Sequence, residues 1–206
     1  MARWRLPFRR TLQPGVALLL LLAGCSSRTT RLQIRSFDPD GETTDLFERF
    51  EEACFSHDAR GSLDLVFRSV KPSTVDPSQV IRQIVHINAF WQPIPGRTFV
   101  EPTQCNATIC YMIGTGPVSI SYEGGGFITF KMDWLKRYLT GQIESGELAP
   151  LRRVGRPKDL LGQAQISGKF RAKRDKSRVL AILGGLRREL GPMPRYTRPP
   201  DRQGPR

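Results

Sequence analysis

The chain has 206 residues, 39% of them hydrophobic, and 32 Lys and Arg against 19 Asp and Glu give it a formal net charge of +13. That length suits one domain with a tail, whose core needs neither a metal nor disulfides, and no internal repeat argues for a solenoid or array. The charge is not spread evenly. Residues 1–24 hold four arginines and no acid, residues 25–150 hold twelve basic and fifteen acidic side chains, and residues 151–206 hold sixteen basic and four acidic ones.

Arg3, Arg5, Arg9 and Arg10 precede nine small or apolar residues at 16–24, and the run ends Leu22-Ala23-Gly24-Cys25 followed by Ser26 and Ser27. This is the order of a charged n-region, a short h-region and a small-residue cleavage site. It resembles the lipobox of bacterial lipoproteins, and the resemblance covers residues 1–25 only. It implies a signal peptide at 1–24, cleavage before a diacylglyceryl-modified Cys25, and a mature chain of 182 residues held to a membrane by acyl chains. The expected location is the bacterial cell envelope, facing the periplasm or the outer surface, and Ser26 fits sorting to the outer membrane. A membrane-spanning helix needs about 20 apolar residues, roughly twice what stands here, and Pro14-Gly15 closes the run. The residues around Arg9-Arg10 match a twin-arginine signal poorly, so ordinary secretion is expected. A pI near 10.4 would otherwise suggest nucleic acid. An exported lipoprotein meets anionic lipid headgroups and cell-wall polymers instead, so those are the expected partners.

Residues 25–41 are polar and read as a tether from membrane to domain. Asp45-Leu46-Phe47-Glu48, with Phe50 on the face of Leu46 and Phe47, has the acid-x-x-Glu form of a helix start and predicts one short helix. Beyond Glu52 the period changes to two. Residues 53–55 and 63–69, around the turn His57-Asp58-Ala59-Arg60-Gly61, read as two strands. The β-branched and aromatic run at 80–91 predicts a long central strand. Strands are also expected at 107–113 and 118–122 around Gly114-Thr115-Gly116-Pro117, and at 127–132 after a hairpin connection at Gly124-Gly125-Gly126. Residues 139–143 fit a further strand. The clearest alternation sets Ala164, Ile166, Gly168, Phe170 and Ala172 against Gln165, Ser167, Lys169, Arg171 and Lys173. It predicts a strand over 163–173 with Ile166 and Phe170 buried and Arg171 exposed. Val179, Ile182, Leu183, Leu186 and Leu190 then form a stripe at helical spacing, the face of a helix lying on the sheet. Residues 191–206, with five prolines, predict a disordered basic tail.

The fold class that follows is mainly β: an antiparallel β-sandwich or barrel-like sheet over residues 42–190, with a short N-terminal helix and a C-terminal helix.

The catalytic inventory is thin. His57 lies in a predicted turn, and His86 lies in an apolar run where a satisfied structural imidazole is the ordinary outcome. Neither a GxSxG elbow nor an HExxH helix occurs, and a Cys110 nucleophile beside His86 is the one pairing the sequence leaves open. Cys54, Cys105 and Cys110 stand in an oxidising compartment, where a disulfide between two of them and buried free thiols are equally open. No CxxC spacing points to a metal, and Gly124–Gly126 lacks the GK[ST] of a phosphate loop, so neither metal nor cofactor is expected. The defensible surface is basic. Lys169, Arg171 and Lys173 project from one face of their strand, and Arg174, Lys176 and Arg178 continue into the helix start, a field suited to an anionic membrane or wall polymer. The leading expectation is a non-catalytic, lipid-anchored scaffold or binding module. Its competitors are a carrier with a lipid or small apolar molecule in a barrel cavity, and an envelope hydrolase.

Overall fold

The computed structural model describes residues 30–37, 42–57, 62–73, 76–91 and 105–192. Its strands are β1 (Thr30–Phe37), β2 (Thr43–Phe50), β3 (Glu52–His57), β4 (Leu63–Pro72), β5 (Val80–Ala89), β6 (Ala107–Thr115), β7 (Val118–Met132), β8 (Tyr138–Val154) and β9 (Gln163–Arg174), followed by helix α1 (Lys176–Leu190). Seven strands run in the order β9-β3-β4-β5-β6-β7-β8, and β8 pairs back onto β9 to close a barrel. The hairpin of β1 and β2 extends the sheet from β9, which pairs with β1 up to Lys169 and with β3 at Lys173 and Arg174.

Alternation fills the interior, as it does in small barrels. Leu65 and Phe67 of β4, Val85 and Ile87 of β5, Ile109 and Tyr111 of β6, and Ile166 and Phe170 of β9 belong to one buried cluster. The Phe67 ring lies 5.4 Å from Phe170 and 6.2 Å from Phe50, and Tyr111 lies 6.3 Å from Tyr122. Outside the wall a second cluster forms. Cys54, Val66, Ile84, Cys110 and Met112 face outward from β3 to β6, and α1 sets Val179, Ile182, Leu183, Leu186 and Leu190 against them. Both helix ends are fastened. Asp175 caps the first turn by accepting from Arg178 N at 2.9 Å, and its own N–H donates to Phe55 O at 3.0 Å. At the far end Arg152 Nη1 donates to Leu190 O at 3.0 Å, and Arg82 pairs with Glu189 at 3.1 Å.

Several expectations are corrected. The sheet closes as a barrel, so the sandwich alternative falls away. The short N-terminal helix is absent, and its residues form β2. Leu46 and Phe50 pack toward the core while Glu48 between them is held by Lys71 and Gln83, a period-two arrangement that pairing with β1 rewards more than an isolated first turn could. The stretch expected to be a tether, residues 25–41, contains a strand of the sheet: Thr30–Phe37 is β1, with Leu32 and Ile34 fully buried. Gly124–Gly126 is no hairpin connection but the middle of β7. A Cβ at Gly126 would sit 2.6 Å from Ser145 O and 2.7 Å from Ile109 Cδ1, and one at Gly124 would collide with Glu147 O. The missing side chains let β8 pass close across β7, where the ladder shifts register twice. Arg171 is half-buried rather than exposed. The long strand at 80–91, the strand over 163–173 with Ile166 and Phe170 buried, and the C-terminal helix stand as expected.

Candidate functional site

Among the basic residues singled out in the sequence, Lys169, Arg171 and Lys173 share the outer face of β9. Lys169 and Lys173 are exposed. The Arg171 guanidinium lies over the Tyr138 ring, 4.2 Å from its centroid, a cation–π contact that explains its partial burial, and its Nε has no hydrogen-bond partner. Thr30 Oγ1 accepts from Arg171 N at 3.3 Å and donates to Arg171 O at 3.4 Å, which satisfies the backbone where β9 leaves β1 and has not yet met β3. Arg174 and Lys176 are exposed at the strand end and the first residue of the helix. Arg178 is engaged otherwise: it pairs with Glu52, which also meets Arg68 at 3.5 Å. The Arg178 hydrogen bond, more than any other influence, holds the Glu52 carboxyl below its ordinary range. That pair ties α1 to the barrel and withdraws Arg178 from the free surface.

The structure adds two residues that the sequence reading assigned to the tether and to the short helix. Arg49 stands directly opposite Arg31, and Arg31 directly opposite Lys169, so three cations line up across β2, β1 and β9. All three are exposed, and no ion pair engages them among the described residues. Like charges directly opposed destabilise a sheet. Four residues along the same hairpin the pattern is neutralised, because Arg35 faces Asp45 and is held by it at 2.8 and 3.1 Å. The signal for Arg31 was present in the sequence, since Arg31, Gln33 and Arg35 alternate with Leu32 and Ile34. Phe47 lies beside this row with 76% of its surface exposed, and a concavity of about 510 Å³ is lined by Arg31, Gln33, Phe47 and Arg49. A second concavity, about 290 Å³, opens between Thr30, Phe50, Ala53, Tyr138, Arg171 and Lys173, at the point where β9 changes partner.

His86 and Cys110 do come together. They oppose each other across β5 and β6 on the outer face, His86 Nε2 lies 2.9 Å from Asp64 Oδ1, and Asn88 Nδ2 donates to the same oxygen at 3.0 Å. The arrangement has the residue types of a nucleophile with its base and an orienting acid, but not their setting. Cys110 and His86 are fully buried, no hydrogen bond joins them, and burial pushes the thiol up to about 12, the reverse of the depressed value a nucleophile needs. His57 ends β3, exposed, with its ring edge-on to Phe55 at 6.2 Å.

Cys54, Cys105 and Cys110 are all free thiols. Cys54 is aligned with Val66, Val66 with His86 and His86 with Cys110, so three strand spacings, about 14 Å, separate the two buried cysteines, too far for a disulfide. Cys25 and residues 193–206 lie outside the described residues. Among the described residues no group of three or more His, Cys, Asp or Glu is placed to hold a metal, and no helix is long and apolar enough to cross a membrane. No protein-family model, curated protein or solved structure matches the chain.

Proposed function

We propose that this is a lipid-anchored protein of the bacterial cell envelope, held by acyl chains on Cys25, whose barrel is a non-catalytic scaffold or binding module meeting an anionic partner through the outer face of β2, β1 and β9. The observation that carries the reading is the row Arg49–Arg31–Lys169, continued along β9 by Lys173. Charges of one sign are opposed at a cost to the sheet, without the acid that neutralises Arg35, and an anionic surface is the partner that offsets that cost. Anionic lipid headgroups and cell-wall polymers both supply the required charge.

The closed barrel is the shape a carrier would use, but Phe67 of β4, Phe170 of β9 and Phe50 of β2 pack together in its core, leaving an apolar ligand only the place of one of these rings. The concavity lined by Arg31 and Phe47 takes its exposed side chains from the outer face of β1 and β2 and favours a surface partner over cargo. A hydrolase would need the Cys110 thiol open and ionised, against its burial.

Two measurements test the reading. Mass spectrometry of the membrane-extracted protein should find Cys25 acylated at the mature N-terminus, and Cys25→Ser should release the protein or leave the precursor uncut. An unmodified Cys25 in a membrane-bound, full-length chain contradicts the anchor. Binding to anionic vesicles or wall polymer should be strong at 0.01 M salt, where screening extends about 30 Å, and weak at 0.15 M, where it is about 8 Å. Binding indifferent to salt, or unchanged by Arg31→Glu with Lys169→Glu, contradicts the basic face.

A further inference from the structure

The turn joining β7 to β8 presents apolar side chains to water on a rigid support. The Asp133 carboxylate accepts from Arg137 N at 2.7 Å and Tyr138 N at 2.9 Å, Asp133 N donates to Tyr138 O at 2.9 Å, and Lys136 takes a left-handed φ of 54° to close the loop. So held, Trp134 is 88% exposed and Leu135 41%. A tryptophan with an apolar body and a polar N–H is suited to the boundary between water and lipid.

Cations surround this tip. Lys131, Lys136 and Arg137 come from the hairpin, and Lys173, Arg174 and Lys176 from the adjoining end of β9 and the start of α1, which Arg174 N joins to the turn by donating to Arg137 O at 2.8 Å. All six are exposed, and no ion pair engages them among the described residues. The carboxylates nearby are occupied: Asp133 by the turn and Asp175 by the helix cap, leaving Glu51 as the exposed acid beside Lys173.

The same end of the barrel receives the chain from the anchor. β1 runs antiparallel to β9, so Thr30 lies beside Arg171 at the end where β9 finishes. Cys25 precedes Thr30 by five residues, which even fully extended reach about 18 Å. An acyl group on Cys25 therefore keeps this end near the bilayer.

We propose that this end of the barrel rests on an anionic lipid bilayer, with Trp134 and Leu135 entering the headgroup region and the six cations against the headgroup phosphates. The orientation rests on reading Cys25 as the acyl anchor, whereas the apolar tip and its ring of cations stand without it.

The test uses the full chain with Trp4→Phe and Trp91→Phe, so that Trp134 is the only tryptophan, on vesicles of phosphatidylglycerol and phosphatidylcholine with brominated acyl chains. Trp134 emission should shift to the blue and be quenched on anionic vesicles. Quenching should weaken on pure phosphatidylcholine and in Lys136→Gln with Arg137→Gln, and be lost there in a chain whose Cys25 is unmodified. In the otherwise unaltered chain, Trp134→Ser at this exposed position should remove the quenched component, which gives the answer even if the Trp4→Phe, Trp91→Phe background folds poorly. An unquenched Trp134, whether the chain sits on the vesicles or stays in solution, overturns the proposal. The mass of the N-terminal peptide is read from the same sample. Unmodified Cys25 with quenched Trp134 overturns the anchor and leaves the bilayer contact standing.

Discussion

Two stretches of the barrel wall use the same strand geometry for opposite ends. Along β4 and β5, residues 63–67 and 83–89 are buried without interruption, because their inward side chains fill the barrel while their outward ones meet α1 or the buried set Asp64, His86 and Asn88. Along β1 and β9 burial alternates, with Leu32, Ile34, Ile166 and Phe170 inward and Arg31, Gln33, Lys169 and Lys173 facing out with no layer over them among the described residues. The first stretch spends both faces on stability. The second keeps one face free, and its charges serve nothing in the fold. A surface retained at a cost within an otherwise well-packed wall is the place to look for function.

Truncations should separate the two uses of the wall. The largest effect is expected inside: Phe170→Ala removes a ring packed on Phe67 and should cost about 3–5 kcal/mol in urea unfolding. Next comes the covered outer face, where Leu183→Ala should cost about 2–4 kcal/mol. The comparable truncation on the bare face, Gln33→Ala, should stay within about 0.5 kcal/mol. Similar losses at Leu183 and Gln33 would mean that α1 is not docked as described, and the contrast between the faces would go with it.

An effect between those of Leu183→Ala and Gln33→Ala is expected at alkaline pH. Burial pushes Cys54 and Cys110 up to about 12, above the 9.0 of a free thiol. A folded-state value above the unfolded one gives stability that is whole below about pH 9 and lost as pH rises from there toward 12. By pH 10 each thiol should remove about 1 kcal/mol. Replacing both by Ala should flatten that slope between pH 9 and 10, and an unchanged slope would show the thiols to be less enclosed than their places under α1 imply. Consistently, Cys105 should react with maleimide in the folded protein while Cys54 and Cys110 wait for unfolding.

Legibility followed the same division. β9 was readable residue by residue because one of its faces meets water, and α1 was readable because its stripe has a single partner. β5 lost its alternation to double burial, yet its β-branched composition still marked it as a strand. β1 and β2 were missed for a different reason. Asp45 and Glu48 imitate a helix cap, and a polar stretch after a lipidation site invites reading as tether, so the hairpin that carries Arg31 and Arg49 was hidden although Leu32 and Ile34 alternate. The glycines of β7 were misread because a close crossing of β8 over β7 leaves the same mark in sequence as a turn. The hairpin tip at Trp134 was passed over because its exposure depends on tertiary placement, which no local pattern reports. The row across three strands lay beyond any local pattern too, since register alone brings Arg49, Arg31 and Lys169 together.

The most direct test of the central claim, that the bare basic face is turned toward an anionic envelope partner, is lysine acetylation of the full chain on its native membranes compared with the same chain in detergent. Lys169 and Lys173 on the outer face of β9 should be protected on the membrane. Lys158, exposed near the opposite end of the barrel in the segment between β8 and β9, should be modified equally in both. Equal modification of all three lysines, or protection of Lys158 alone, would contradict the account.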